Sequence, residues 1–526
     1  MNLKQAGSGS EADERLTALL TNANAVRAIT AAVEGTIGPK GLDTMLVDRF
    51  GEVIITNDGV TILEKMDVNH PAAKMLINAA KAQQSEIGDG TTTTTVMAGA
   101  LMAEGAAQVL KGVPVARIIE GLRQGIGAVL ALLDTHSRPV AGVDDPVLRS
   151  IARIAGREHD DIAELVIGAA ALVGSEKLTD TGFKLSDAVT ARAGADNEVF
   201  LGVLLDKERM NKEMPKTVQQ AAVLLIDDAL EPEELEDEAL GTESGFKRYI
   251  ELKEEFRQNI RKIVDLSVGA VFVDRGVHAT AEEILSDAGI MVVQRVCAKD
   301  MRRIADHCGA RMLKRTGLKK DLDDMRSYLG QAQTVCEDEK LEQIRVLGGS
   351  GKPMATILVG AATAEIVGER ERIAKDAASS VQAAMRGGYV PGGGAVELAL
   401  SRELDKSRVG VKGMSAYGWE CVVSALKRPL SQIVYNAGFN PLEKVEEAIA
   451  AQVAAESDSL GIDCDDGQVA DMLTLGVIDP APVKRHAIKA AGEVAIAILR
   501  IDTIIKKRDD GTAAKTAAAD ATIPDF

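Results

Sequence analysis

The chain has 526 residues, 61 of them basic and 79 acidic, for a net charge of -18. A chain this acidic repels DNA, RNA and anionic lipid, so no nucleic-acid or membrane partner is expected. Aromatic residues make up 3%, with one tryptophan (Trp419), too few for a base-stacking platform, while 46% hydrophobic residues supply a sizeable core and the length suggests about three domains.

Taken in chain order, Met1–Glu14 is polar and lacks the apolar stretch of a signal peptide. Leu16, Leu19, Leu20, Val26, Ile29 and Val33 fall near helical spacing, and Gly35 ends the run. Met45–Val47 and Val53–Thr56 read as the strands of a short hairpin. Pro71 opens a helix to about Ser85, and Thr91–Leu110 and Pro114–Leu133 form two more. The Pro, Gly and Asp residues of Arg138–Asp145 mark a boundary. Pro146–Val173 reads as helical, and its longest apolar run, about Leu165–Val173, is too short to span a bilayer. The strand-like runs Val223–Ile226, Ala270–Val273 and Met291–Val293 then alternate with the helical stretches Phe246–Leu266 and Thr280–Ala288, which predicts a small α/β domain. Helical periodicity returns from Glu365 to Leu499, broken at Gly387–Gly394, and an Ala/Asp/Thr-rich tail expected to be disordered begins at Lys506. The order is helical, α/β, helical. An α/β insertion into a helical domain and a linear string of three domains both produce it. The five cysteines, Cys297, Cys308, Cys336, Cys421 and Cys464, form no CxxC pair, which fits reduced thiols in the cytoplasm.

Four strings carry possible chemistry. Gly35-Thr36-Ile37-Gly38-Pro39-Lys40-Gly41 follows the first helix; alone it is an ordinary cap, but its N–H groups also suit a phosphate. Asn57-Asp58-Gly59 is a turn at a strand end. Gly88-Asp89-Gly90, followed by Thr91 through Thr95, precedes a helix. Helix N-termini bind phosphate, threonines add donors, and an aspartate among phosphates implies a cation such as Mg²⁺ between them. The structural alternative is that Asp89 caps the helix, although five threonines are poor helix material. Gly387–Ala395 is a second glycine-rich turn without GxGxxG spacing. Gly348–Pro353 imitates the end of a Walker A motif but has Val346 and Pro353 where Gly and Ser/Thr are required. Neither HExxH nor GxSxG occurs.

Together these strings resemble a chaperonin subunit. The likeness runs through Met45–Asp48, Thr56–Leu63, His70–Lys74 and Gly88–Thr92, resumes at Gly392–Gly394, and continues at Asp471-Met472, Gly476–Pro480 and Leu499–Asp502. Met45–Asp48 and Val60–Lys65 are similar to group II, the thermosome and eukaryotic cytosolic type. Asp479 in place of a usual glutamate, and Arg157 in place of a usual lysine, point to the divergent bacterial group III branch. The resemblance implies a multidomain α and α/β fold: a mostly helical equatorial domain (1–139 and 395–526), a small intermediate domain (140–208 and 357–394) and an inserted α/β apical domain (209–356) with a built-in lid at about 227–256.

It also implies ATP and Mg²⁺ as cofactors. Thr36, Gly38, Pro39, Asn57, Gly59, Gly88, Gly90, Thr91, Thr92 and Thr93 would surround the phosphates, with Asp89 on Mg²⁺. Gly393 and Asp479 would contact the nucleoside end, and Arg157 the terminal phosphate. Asp58 and Asp376 would activate the attacking water. The implied partners are unfolded client proteins and identical subunits in a double ring of two rings of eight, with no separate cap protein. The apolar residues of Thr91–Leu110 and Pro114–Leu133 exceed what one small helical layer needs, which suggests a partner subunit. A small-molecule ATP-using enzyme and a ring scaffold without hydrolysis are the competing classes.

Overall fold

The computed structural model describes residues 8–47, 50–51, 53–233 and 243–503, with side chains from Leu16 onwards. In chain order the elements begin α1 (Ser8–Val33), β1 (Thr44–Val47), β2 (Val53–Thr56), α2 (Gly59–Lys65), α3 (Pro71–Glu86), α4 (Thr91–Leu110) and α5 (Val115–His136). Then come α6 (Pro146–Ala155), α7 (Asp160–Val173), α8 (Ser175–Thr179), β3 (Val189–Ala193), β4 (Glu198–Leu205), β5 (Thr217–Ile226), α9 (Glu243–Asp265), β6 (Ala270–Val273), α10 (Ala279–Asp287) and β7 (Met291–Val293). Next follow α11 (Ala298–Cys308), β8 (Met312–Leu313), α12 (Leu322–Arg326), β9 (Gly330–Asp338), β10 (Gln343–Gly349), β11 (Ala355–Ala361) and α13 (Ala364–Gly387). The principal C-terminal helices are α14 (Ala395–Ser407), α15 (Ser415–Asn436), α16 (Pro441–Ala454) and α17 (Ala481–Leu499).

These elements form two compact units. The first combines the chain up to Ser137 with Val390–Leu475 and everything from Val483; the second takes Arg138–Tyr389 and Gly476–Pro482. In the first unit, α4 and α5 both pack on α15, and α1 and α3 pack on α4. Trp419 of α15 is buried, and its indole N–H donates to the Leu404 carbonyl at 3.0 Å. The apolar residues of α4 and α5 turn inward: Val96, Met97, Leu101, Met102, Ile118, Leu122, Val129 and Leu133 are all buried within the chain. The apolar residues expected as a surplus for a partner subunit are therefore spent on the chain's own core. A cluster of exposed apolar residues lies on and around the β1–β2 hairpin, where Leu42, Met45, Val47, Phe50, Val53 and Ile55 face solvent, Phe50 at 79% exposure.

One feature of this unit predicts a pH dependence. His136, in the last turn of α5, places Nδ1 2.8 Å from Asp458 Oδ2 and Nε2 3.1 Å from Glu403 Oε1. The hydrogen bond with Asp458 raises its pKa above the usual histidine value; burial opposes this, and Glu403 adds to the rise. A raised folded-state pKa stabilises fully below the unfolded value of about 6.5 and is lost as pH rises through the folded value. His136→Gln is expected to cost about 2 kcal/mol at pH 6, and less at pH 9, in urea titrations. An equal loss at both pH values would show that no protonated imidazole is involved.

The second unit is built on a nine-stranded mixed sheet of order β3-β11-β4-β10-β9-β5-β6-β7, with β8 also paired to β5. Strands β5, β6 and β7 run parallel, in register Leu225↔Phe272 and Phe272↔Val293, and α9 and α10 provide the crossovers. Strand periodicity assigns their side chains to two buried faces. Val223, Leu225, Phe272 and Val293 join Met301 and Ile304 of α11 on one side. Leu224, Ile226, Val271 and Val292 join Phe256, Ile260 and Ile263 of α9 on the other. The first half of α9 leaves Phe246 and Ile250 exposed. Residues 234–242 of the expected lid lie outside the described residues. The helical stretch expected over Pro146–Val173 divides into two helices, α6 and α7, with left-handed conformations at Arg157 (φ 52°) and Glu158 (φ 61°) between them.

Candidate functional site

In the first unit three glycine-containing loops meet around α4 and α15. The Gly88–Gly90 loop turns through left-handed conformations at Gly88 (φ 86°) and Gly90 (φ 83°) and delivers the chain to Thr91, the first residue of α4. Gly90 is required there twice over: a Cβ would also stand 2.7 Å from Val483 Cγ1. Buried Gln83 holds the loop, its amide donating to the Asp89 carbonyl at 2.7 Å, and Asp89 Oδ1 accepts from the Gly90 N–H at 2.6 Å. The five threonines divide by role. Thr94 and Thr95 are fully buried and bond back to the Gly90 and Thr91 carbonyls, while Thr92 and Thr93 remain partly exposed. Back-bonding satisfies the two buried hydroxyls inside the helix without a partner from another element.

Asp58 caps α2: its Oδ2 accepts from the Thr61 N–H at 2.9 Å and the Thr61 hydroxyl at 2.6 Å. The next residue, Gly59, lies so close to α4 that a Cβ would stand 2.6 Å from Thr92 Oγ1. Asp58 and the Asp89–Thr93 string are thereby brought together. Asn57 Oδ1 is buried and meets no donor among the described residues.

The Gly35–Gly41 loop contacts both α4 and α15. Thr36 turns its hydroxyl back to the Val33 carbonyl at 2.8 Å, so it serves the helix end rather than pointing a donor outward. Gly38 and Pro39 are exposed. Gly38 lies against Ile433, and Gly394, beside Gly393, lies against Leu430. These residues, three apart on α15, present one helix face to both loops. Asn436 at the end of that helix donates to the carbonyls of Glu34 and Ile37 at 2.8 and 2.9 Å. Neither Asn436 nor Gln83 is signalled by sequence spacing, since each acts on residues remote from itself or through a backbone carbonyl.

In the second unit, Arg372 Nη1 lies 3.0 Å from Asp376 Oδ2, one helical turn away on α13, and Arg372 also pairs with Glu369. Arg157 Nη1 approaches Glu369 Oε1 at 3.5 Å. Arg157 and Asp376 thus share one charge network whose middle members the sequence reading missed. Asp479 is half-buried on a short strand, Ile478–Pro480, packed against α6 and α13.

A helical unit made from both chain ends, an inserted sheet unit, and glycine loops at a helix N-terminus together define a class. Residues 29–509 match the TCP-1/cpn60 chaperonin family, and the chain belongs to it. It is 36% identical over 504 residues to a thermosome subunit of Pyrococcus abyssi (strain GE5 / Orsay), covering 92% of this chain and 90% of the relative. It is 34% identical over 519 residues to the thermosome subunit alpha of Thermoplasma acidophilum, covering 95% and 93%. A crystal structure of a group III chaperonin in the open state is 45% identical, covers 94% of this chain and all of that one, and superposes with a TM-score of 0.87. The chain is accordingly a chaperonin, an ATP-dependent protein that assists the folding of other proteins. No described helix is long and apolar enough to cross a membrane.

Proposed function

We propose that the chain hydrolyses ATP and uses the cycle to enclose unfolded client proteins in a double ring of identical subunits, two rings of eight, in the cytoplasm. The observation that carries this reading is the seating of Gly59 on Thr92 at the N-terminus of α4. It unites a capping carboxylate and a glycine loop with the N-terminus of α4, whose backbone N–H groups suit phosphate. Among the described residues no group of three or more His, Cys, Asp or Glu could hold a metal ion. That fits Mg²⁺, which takes one or two carboxylates and completes its shell with phosphates and water. Asp89 would hold it, and it would offset phosphate charge. The buried, unpartnered Asn57 Oδ1 supplies an acceptor in the same place.

The chain's own residues take the remaining roles. Gly38, Pro39, Gly88, Gly90 and Thr91–Thr93 line the phosphates, Gly393 and Asp479 the nucleoside, and Arg157 the terminal phosphate. Asp58 and Asp376 orient the attacking water. The three domains divide at the boundaries given above, and the exposed apolar hairpin supports assembly. Negative-stain images and native mass, with and without ATP, are expected to show a double ring whose rate of client refolding rises with Mg·ATP. A monomer-sized particle under both conditions would sink the proposal.

The lid is also proposed as built in. The first half of α9 exposes Phe246 and Ile250, the kind of surface a neighbour covers. Replacing Pro232–Glu251 with a short Gly/Ser linker is expected to leave ATP hydrolysis within about twofold, since the phosphate loops belong to the other compact unit. Protection of an enclosed client from protease should be lost. Protection by the intact protein only when a separate cap protein is added would contradict a built-in lid.

A further inference from the structure

The second unit contains a cavity of about 240 Å³ that none of the proposed nucleotide residues lines. One wall is the start of α11, another the middle of α13. Gln343, on β10, borders it and is fully buried, yet neither Oε1 nor Nε2 meets a hydrogen-bond partner among the described residues. Leaving a buried amide without partners is costly, and a group seated in the cavity that Gln343 borders would supply them. The exposed thiol of Cys297, the residue preceding α11, lies on the same lining, and its S–H donates to Asp300 Oδ2 at 3.3 Å. Cations and carboxylates alternate around it: Lys299 pairs with Asp187 at 3.2 Å, and Arg303 with Asp300 at 3.5 Å.

We propose that Cys297 is a thiol–disulfide exchange site for the disulfide of an amino-acid thiol, the transferred half lodging in this cavity against Gln343. Size, charge and hydrogen bonding each point to that class. The cavity is below the roughly 300–1,000 Å³ of drug-sized sites, which suits an amino-acid-sized group. A zwitterion finds an opposite charge for both its ends. The Gln343 amide offers a donor to a carboxylate and an acceptor to an ammonium group. The other four cysteines are poor competitors: burial pushes the Cys308 and Cys421 thiols up to about 12 and the Cys464 thiol to about 11, and it raises Cys336 as well.

The exchange balances without a further oxidant. Asp300 accepts the thiol proton as the Cys297 sulfur bonds to one sulfur of the incoming disulfide. The S–S bond breaks, its electron pair leaves on the other sulfur, and that thiolate takes up the proton. The products are a mixed disulfide on Cys297 and one free amino-acid thiol.

The test treats the full-length protein with cystine or with neutral bis(2-hydroxyethyl) disulfide. Intact mass and peptide mapping follow the adducts, and each rate is normalised to that of free N-acetylcysteine. The expected result is one cysteinyl group per chain, on Cys297, removable by dithiothreitol. The normalised rate with cystine should exceed that with the neutral disulfide by about tenfold. Gln343→Leu should bring the ratio towards one while leaving iodoacetamide alkylation of Cys297 unchanged. If that variant does not fold, Lys299→Ala at the exposed rim should lower the same ratio. Equal normalised rates for the two disulfides, or modification at another cysteine, would overturn the proposal.

Discussion

Asp376→Ala is expected to leave ATP bound with near-normal affinity while lowering turnover at least about a hundredfold. The carboxylate is fixed on α13 by Arg372, whose Nη1 lies 3.0 Å from Oδ2, and it is largely shielded from solvent. A carboxylate held in one orientation positions water; an alanine does not, and the change leaves the sequence of every phosphate loop intact. Arg372→Gln serves as the companion. It should lower turnover less than Asp376→Ala, because it frees the carboxylate without removing it. Single-turnover hydrolysis separates chemistry from binding in both variants. Wild-type turnover from Asp376→Ala would remove this residue from the mechanism.

Asp89→Ala should instead weaken Mg·ATP binding by about 10–100-fold and leave the weak binding of ATP in EDTA nearly unchanged. The distinction follows from how the loop is built. Gln83 grips the Asp89 carbonyl and the turn is carried by Gly88 and Gly90, so the side chain adds to the loop chiefly its bond from the Gly90 N–H. The backbone is therefore expected to survive the substitution, leaving the loss to the metal. Calorimetric titration with and without Mg²⁺ decides the matter. Equal losses in the two would mean that Asp89 only shapes the loop.

What the sequence revealed and what it hid have separable physical causes. The helices were legible because their apolar spacing is regular; Thr91–Leu110 has the same limits in the sequence reading and in the structure. Strands β6 and β7 and the last four residues of β5, Val223–Ile226, were legible as continuous apolar runs, buried on both faces, whereas the polar first part of β5 was not. Strand β9, with the sequence Gly330–Asp338, was not. One of its inward positions is Glu337, buried against Arg209, so an ion pair occupies a place where a hydrophobic residue would have completed the alternation. The break between α6 and α7 begins at Gly156, the C-cap of α6, and continues through left-handed backbone at Arg157 and Glu158 that no glycine marks. In the candidate site, the glycine and threonine strings stood out because they interrupt helical periodicity. Asp376 drew attention through family likeness alone, since on spacing it is an ordinary helix residue. Asn436 and Arg372 had no signal, because a brace is defined by what it touches.

The dependence of the first glycine loop on α15 has a consequence for how the molecule is made. Gly38 and Ile433 are about 400 positions apart, and a ribosome adding about 5–20 residues per second needs roughly 20–80 s to get from one to the other. Throughout that interval the loop has left the ribosome but has neither Ile433 to rest on nor Asn436 to hold its carbonyls. The stretch 138–389 meets nearly all of its own partners sooner. A product of interrupted synthesis that ends before α15 would thus carry Gly35–Gly41, Asn57–Gly59 and Gly88–Thr93 in full and still lack the braced first loop, so that the candidate site is among the last features of the newborn chain to take shape.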